Sequence, residues 1–132
     1  MIVADTNIIS YLLLPTIFSD KASQLYQSDP EWAAPVLWRS EFRNVLALYM
    51  RRKIITLAEA LVIQEEAEAL MGDGEFTVPS VLVLSLTDSS TCSAYDCEFI
   101  ALARQLSIKL MTEDKKILTE FSDVAVSLDQ YA

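Results

Sequence analysis

Short strand-like runs alternate with segments of helical period along the whole chain, which limits the fold to an α/β class with a mainly parallel sheet. Ile2–Ala4, Ala33–Leu37, Glu75–Val78, Ile108–Met111 and Val124–Val126 read as short strands. Thr6–Leu14, Ile17–Tyr26, Arg39–Lys53, Leu57–Met71, Tyr95–Leu106 and Lys115–Phe121 read as helices. In the second of these, Ile17, Phe18, Ala22, Leu25 and Tyr26 share a face. Thr56, with Glu59 three residues on, makes a capping-box pattern for Leu57–Met71, whose Leu57, Ala60, Leu61, Ile63, Ala67 and Leu70 form the expected buried face. Ser80–Ser90 stays open between strand and helix. The only two glycines, Gly72 and Gly74, mark a turn. No repeat, linker or low-complexity tract divides the 132 residues, so a single domain over 1–132 is expected.

Composition excludes several classes. Hydrophobic residues make up 52% and charged residues 22%, too apolar for intrinsic disorder. Histidine is absent, which removes Ser-His-Asp and Cys-His catalysis and any His-ligated zinc. Acid–base work is therefore left to carboxylates, Lys, Tyr, Cys or a metal-activated water. Cys92 and Cys97 lie at the entry to a helix, a poor place for a bridge; reduced thiols in a cytoplasmic protein are expected. Met1–Asp5 lacks the basic stretch of a signal peptide, and uncharged runs such as Phe76–Thr87 fall short of the roughly 18 apolar residues of a membrane span. A soluble chain without membrane contact follows. The net charge of −9 and pI near 4.3, taken alone, argue against nucleic-acid binding.

Ligands of open α/β sheets sit beyond the carboxyl ends of the strands. Asp5 stands there after the first strand, and Glu113-Asp114 after the strand ending at Met111. Glu41 and Asp96 open two apolar helices. Each acid has a plain structural reading: Asp5, Asp96 and Asp114 as helix caps, Glu41 as a solvated side chain. All four could instead converge, since an acid can cap a helix and still bind metal. Carboxylates gathered in one cleft repel each other and raise their own pKa values. A hard divalent cation relieves this, and an all-oxygen donor set suits Mg²⁺ or Mn²⁺.

Four blocks, Val3-Ala4-Asp5-Thr6-Asn7, Ser40–Leu46, Tyr95–Ala103 and Met111-Thr112-Glu113-Asp114, follow the order and spacing of PIN domains, and the chain resembles the VapC-type toxin ribonucleases of that family from residue 2 to about 121. The resemblance implies a three-layer α/β/α sandwich around a parallel sheet. It implies that Asp5, Glu41, Asp96 and Asp114 are the acidic quartet that binds one or two Mg²⁺ or Mn²⁺ ions for phosphodiester hydrolysis. Asp5, Asp96 and Asp114 would be direct ligands, and Glu41 would bind directly or through water. Thr6, Asn7 and Thr112 match polar positions that hold the acids. Cys97 stands where the family usually has a small residue such as Ala, and reads as packing. The extra acids Glu98 and Glu113 read as solvated, capping or second neighbours of the site. RNA as substrate, a small antitoxin inserting a segment into the cleft, and a homodimer are implied in the same way.

Acidity does not settle the question of RNA. Five of the ten basic residues fall between 39 and 53, and Arg39 and Arg43 flank Glu41 closely enough to meet a phosphate. The plain alternative makes them surface charges, with Arg51-Arg52-Lys53 complementing a helix C-terminus. A mean hydropathy of +0.29 is high for a small soluble chain and points to a covered surface, with residues 57–71 and 80–90 as candidates. Two other readings stand beside the ribonuclease: a PIN-like binding or regulatory module without nuclease activity, and a phosphoacceptor receiver domain. The receiver is disfavoured because Asp5-Thr6-Asn7 lacks the paired acids it needs.

Overall fold

The computed structural model describes residues 1–131. Its strands β1 (Ile2–Ala4), β2 (Trp32–Pro35), β3 (Glu75–Phe76), β4 (Leu110–Met111) and β5 (Ala125–Val126) form one sheet in the order β3-β2-β1-β4-β5, and every neighbouring pair is parallel. Among the described residues, eight helices connect them: α1 (Thr6–Leu13), α2 (Ser19–Ser28), α3 (Trp38–Arg51), α4 (Leu57–Met71), α5 (Ser80–Asp88), α6 (Ala94–Leu106), α7 (Lys115–Glu120) and α8 (Leu128–Tyr131). The result is a three-layer α/β/α sandwich. All of β1 is buried, as a strand covered on both faces must be. Trp38, Phe42, Phe99, Ile100, Leu102 and Ile117 fill the space between the sheet and its helices. No helix among the described residues is long and apolar enough to cross a membrane.

Strand order fixes where a ligand can sit. The chain walks from β1 outward to β2 and β3, then returns to the other side of β1 for β4 and β5. The reversal between β1 and β4 opens a crevice at their carboxyl ends. Asp5 follows β1 directly, and Thr112 to Asp114 follow β4.

Several boundaries differ from the sequence expectation for local reasons. The second helix starts at Ser19 rather than Ile17, because Thr16 and Ser19 close a side-chain turn ahead of it: the Thr16 amide donates to Ser19 Oγ at 2.8 Å, and the Phe18 amide to Thr16 Oγ1 at 3.1 Å. Ile17, expected to face inward, is 91% exposed in that turn. The capping box of α4 is present in both directions. Its buried residues are Ala60, Ala67 and Met71, whereas Leu57 and Leu61 are both 62% exposed, contrary to expectation. Small residues let α4 approach closely, and an all-round apolar sequence does not by itself choose a face. Ser80–Asp88 resolves as helix. At Gly74 a Cβ would lie 2.1 Å from the Trp32 carbonyl oxygen, so only glycine lets the chain come this close to β2.

Candidate active site

Asp5, Glu41, Asp96 and Asp114 come from four separate elements and line one cleft of about 470 Å³ at the β1/β4 crevice. Asp5 is 7% exposed and caps α1, its Oδ1 accepting from the Thr6 amide at 2.7 Å. Its Oδ2 accepts from Thr112 Oγ1 at 2.7 Å and Asn7 Nδ2 at 3.4 Å. Thr112 is fully buried, and its hydroxyl also accepts the Asp114 amide at 3.0 Å, so one threonine ties the ends of β1 and β4 together. Asn7 accepts the Glu113 amide at 3.4 Å. Thr6 Oγ1 donates to Glu41 Oε1 at 2.7 Å, fixing a half-buried carboxylate in the first turn of α3. The structure thus brings Thr6, Asn7 and Thr112 into contact with the acids or with the backbone that carries them.

The capping and convergent readings turn out to be compatible. Asp114 caps α7 through Oδ1 alone, which accepts from the Lys116 and Ile117 amides at 2.9 and 3.0 Å. Asp96 is not a cap. Ser93 occupies that position and accepts the Asp96 amide at 3.1 Å, which leaves the Asp96 carboxylate in the first turn of α6 free for the cleft. Glu113 serves structure instead: its Oε1 accepts the Leu128 amide at the start of α8, at 2.9 Å.

Electrostatics link the four acids. Burial, followed by the charges of Asp96 and Glu41, outweighs the hydrogen bonds of Thr112 and Thr6 and pushes the Asp5 carboxyl from 3.8 up to about 7. Burial, then Asp96 and Glu98, raises Glu41 against the Thr6 hydrogen bond; burial, then Asp114, raises Asp96 against the Ser93 hydrogen bond and the Lys116 charge. Among the described residues, no Lys or Arg lines the cleft. As placed, no three His, Cys, Asp or Glu side chains among the described residues stand close enough to share a cation. The donor chemistry nonetheless fits one: all-oxygen, multiply anionic and held by backbone and hydroxyl hydrogen bonds, with Lys116, outside the lining, the one cation that eases the charge on Asp96.

The two arginines do not reach this cleft. Arg39 is directed to the β3 side, where its Nε and NH2 donate to Glu75 at 2.6 and 2.7 Å and its NH1 to Glu68 at 2.9 Å. A guanidinium with two carboxylates in reach is claimed by them, which corrects the expectation that it meets a phosphate. Arg43 is exposed and outside the cleft lining. Sequence reasoning missed Ser10, Tyr11, Thr16, Asn44, Val45 and Tyr49, which complete the lining. Helical spacing from the site residues already named could have found most of them: Ser10 and Tyr11 lie three and four residues beyond Asn7, and Asn44, Val45 and Tyr49 lie three, four and eight beyond Glu41. Thr16 follows α1 and carries no such signal. Cys92 and Cys97 are buried free thiols; burial, followed by the Glu120 charge, pushes the Cys92 thiol up to about 11, away from reactivity.

The sequence profile described as "PIN domain" matches residues 2–126. The chain belongs to the PIN domain family. Solved PIN-fold structures superpose along its length. The toxin-antitoxin complex from Klebsiella pneumoniae aligns with a TM-score of 0.73 at 17% identity, covering 97% of this chain and 98% of that one. PAE2754 from Pyrobaculum aerophilum gives 0.76 at 18% identity over 98% and 92% of the two chains. VapC20 from Mycobacterium tuberculosis, a toxin described as cleaving the sarcin-ricin loop, gives 0.64 at 18% identity over 91% and 95%. At these identities the likeness is one of fold. No curated protein sequence matches the chain significantly.

Proposed function

We propose that this PIN domain is a metal-dependent ribonuclease that hydrolyses RNA phosphodiester bonds, and that it is the toxin of a toxin-antitoxin pair. The observation that carries the reading is the gathering of Asp5, Glu41, Asp96 and Asp114, from four elements, around one cleft whose described lining contains no Lys or Arg. PIN domains are generally nucleases, and toxins stand among the structures with this fold.

Asp5, Asp96 and Asp114 would hold Mg²⁺ or Mn²⁺, with Glu41 completing the set directly or through water. Such an ion supplies positive charge against the phosphodiester and acidity for a nucleophilic water, the base that a chain without histidine cannot provide. The chain's own residues set the geometry. Thr112 and Asn7 orient Oδ2 of Asp5, the Thr6 hydroxyl aims Glu41, and Ser93 takes over the capping of α6 so that Asp96 stays free. Substrate affinity then depends on the ion more than on a basic groove, since Arg39 is committed to Glu75 and Glu68.

A covered surface is part of the proposal. Leu57, Leu61 and Val62 on α4 and Val81 and Leu84 on α5 are all more than half exposed, which supports a homodimer burying one or both helices. An antitoxin segment that offers an arginine would find the carboxylates it needs in the cleft. Two free thiols suit a reducing, cytoplasmic setting.

The test is cleavage of a broad RNA panel in Mn²⁺ by wild type and Asp5→Asn. Wild-type cleavage that falls at least about a hundredfold in the folded variant supports the reading. Equal activity in both contradicts it, and a folded wild type that binds Mn²⁺ and cuts nothing makes the chain a binding module.

A further inference from the structure

Asp96 and Asp114 stand at the starts of α6 and α7, and their carboxylates repel each other across the cleft. Packing seats the two helices separately: α6 lies on β1, β2, β4 and α5, and α7 on β5. Thr91, in the loop between α5 and α6, links the start of α6 to α7, and every one of its polar groups is taken up there. Its amide donates to Glu120 Oε1 at 3.0 Å and its hydroxyl to Glu120 Oε2 at 2.6 Å, while its carbonyl accepts from Lys116 Nζ at 2.6 Å. Lys116 and Glu120 are four residues apart on α7, so both heads reach the same residue. Lys116 also donates its amide to the Asp114 carboxylate at 2.9 Å.

The grip on Thr91 is passed to Asp96 within five residues. The Cys97 thiol donates to the Cys92 carbonyl at 3.9 Å, the Cys97 amide to the Ser93 carbonyl at 2.9 Å, and the Asp96 amide to Ser93 Oγ at 3.1 Å. Cys92 and Cys97, both buried, hold the two positions around the Ser93 cap that form a hydrophobic staple and fix the angle at which a chain enters its helix. Thr91, Lys116 and Glu120 are themselves exposed, where water competes for the same groups and each bond adds little to stability. Stability is therefore a poor explanation for three contacts on one surface residue. Geometry is a better one, because two repelling carboxylates must be held at one spacing to share a cation. Hydrogen-bond partners behind the ligands of a metal commonly change its affinity by about tenfold or more.

We propose that Thr91, Lys116 and Glu120 form a clasp that sets the spacing of Asp96 and Asp114 for cation binding. This rests on the reading of the four acids as one metal site and adds positioning residues to it. None of the three is a ligand; each acts through the helix start that carries an acid.

The experiment is Mn²⁺ titration calorimetry on wild type, Thr91→Val, Thr91→Ser, Glu120→Ala and Glu120→Gln, with a thermal melt of each. Thr91→Val changes no charge and should weaken Mn²⁺ binding about threefold, while Thr91→Ser, which keeps the hydroxyl, should bind like wild type. Glu120→Ala should weaken binding on the order of tenfold with Tm close to wild type. Glu120→Gln, which keeps an acceptor for the Thr91 amide, should recover part of that loss. Cleavage by Glu120→Ala should need more Mn²⁺ for its half-maximal rate and approach the wild-type plateau. Wild-type affinity in both Thr91→Val and Glu120→Ala overturns the clasp and leaves the metal site intact. Equal losses in Glu120→Ala and Glu120→Gln, with none in Thr91→Val, also overturn it, since charge alone then carries the effect. The expected losses in a protein that cuts no RNA remove the nuclease reading and keep the clasp. A folded wild type that binds no Mn²⁺ overturns the metal site and the clasp together.

Discussion

The carboxylates on the β3 side and those at the β1/β4 crevice are resolved in different ways. On the β3 side, Glu68 and Glu75 meet Arg39, and the Trp38 indole N–H adds a bond to Glu75 Oε2 at 3.0 Å. One guanidinium bridges both carboxylates there, and the hydrogen bonds of Arg39 hold Glu75 below the usual range. At the β1/β4 crevice, four acids face one cleft with no Lys or Arg among the described residues of its lining, only Lys116 eases Asp96 from outside it, and Asp5 is held near 7. Acids that bring their own counter-ion stabilise the fold. Acids whose repulsion the fold tolerates without one mark a site whose counter-charge comes from outside.

The contrast can be broken at its extremes by removing one charge from each cluster. Asp5→Asn is expected to lower RNA cleavage at least about a hundredfold, while Glu75→Gln leaves it within about twofold, as initial rates in Mn²⁺ would report. Comparable losses in both would erase the distinction.

Stability against pH separates the clusters next. Asp5 keeps its proton in the native state up to about 7 but loses it near 3.8 when unfolded, so the native state binds more protons in that window. Stability of the metal-free protein should therefore fall, by on the order of a few kcal/mol, as pH rises from about 4 to 7. Asp5→Asn should flatten that fall, and added Mn²⁺ should oppose it. Glu75 acts with the opposite sign: its lowered pKa contributes stability that is present above the ordinary glutamate range and is lost as pH drops through the native value. Urea melts across pH would check both slopes.

Smaller effects sharpen the picture. Thr112→Val deletes the bridge between β1 and β4 while keeping the shape, and should cost roughly 1–3 kcal/mol because Asp5 and the Asp114 amide both lose a partner. It should also lower cleavage, a readout that a purely structural threonine would not move. Arg39→Ala should lower Tm while sparing kcat, and Arg39→Lys should restore only part of the loss, since an ammonium cannot reproduce the two-pronged contact with Glu75.

Much of this was legible in the sequence. Period and punctuation gave the order of strands and helices, and Thr56 with Glu59 gave the start of α4 to the residue, because a capping box is a local chemical event. The four acids could be named because they stand at element ends, where open sheets place their ligands. What stayed hidden depends on long-range competition. Nothing local says that Arg39 will be drawn to Glu68 and Glu75, 29 and 36 residues away, rather than to the cleft. Nor does the apolar content of α4 say that it will bury Ala60 and Ala67 and expose Leu57 and Leu61. Ser93 displacing Asp96 as a cap was local and could have been read, since a serine three residues ahead competes well for that amide.

The most direct test of the central claim, that the dispersed acids form one cation site, is Mn²⁺ titration calorimetry on wild type, Asp96→Asn and Glu75→Gln, each checked for folding by circular dichroism. Binding is expected for wild type and Glu75→Gln, with its loss in Asp96→Asn. Equal binding by wild type and Asp96→Asn, or no binding by a folded wild type, would contradict it.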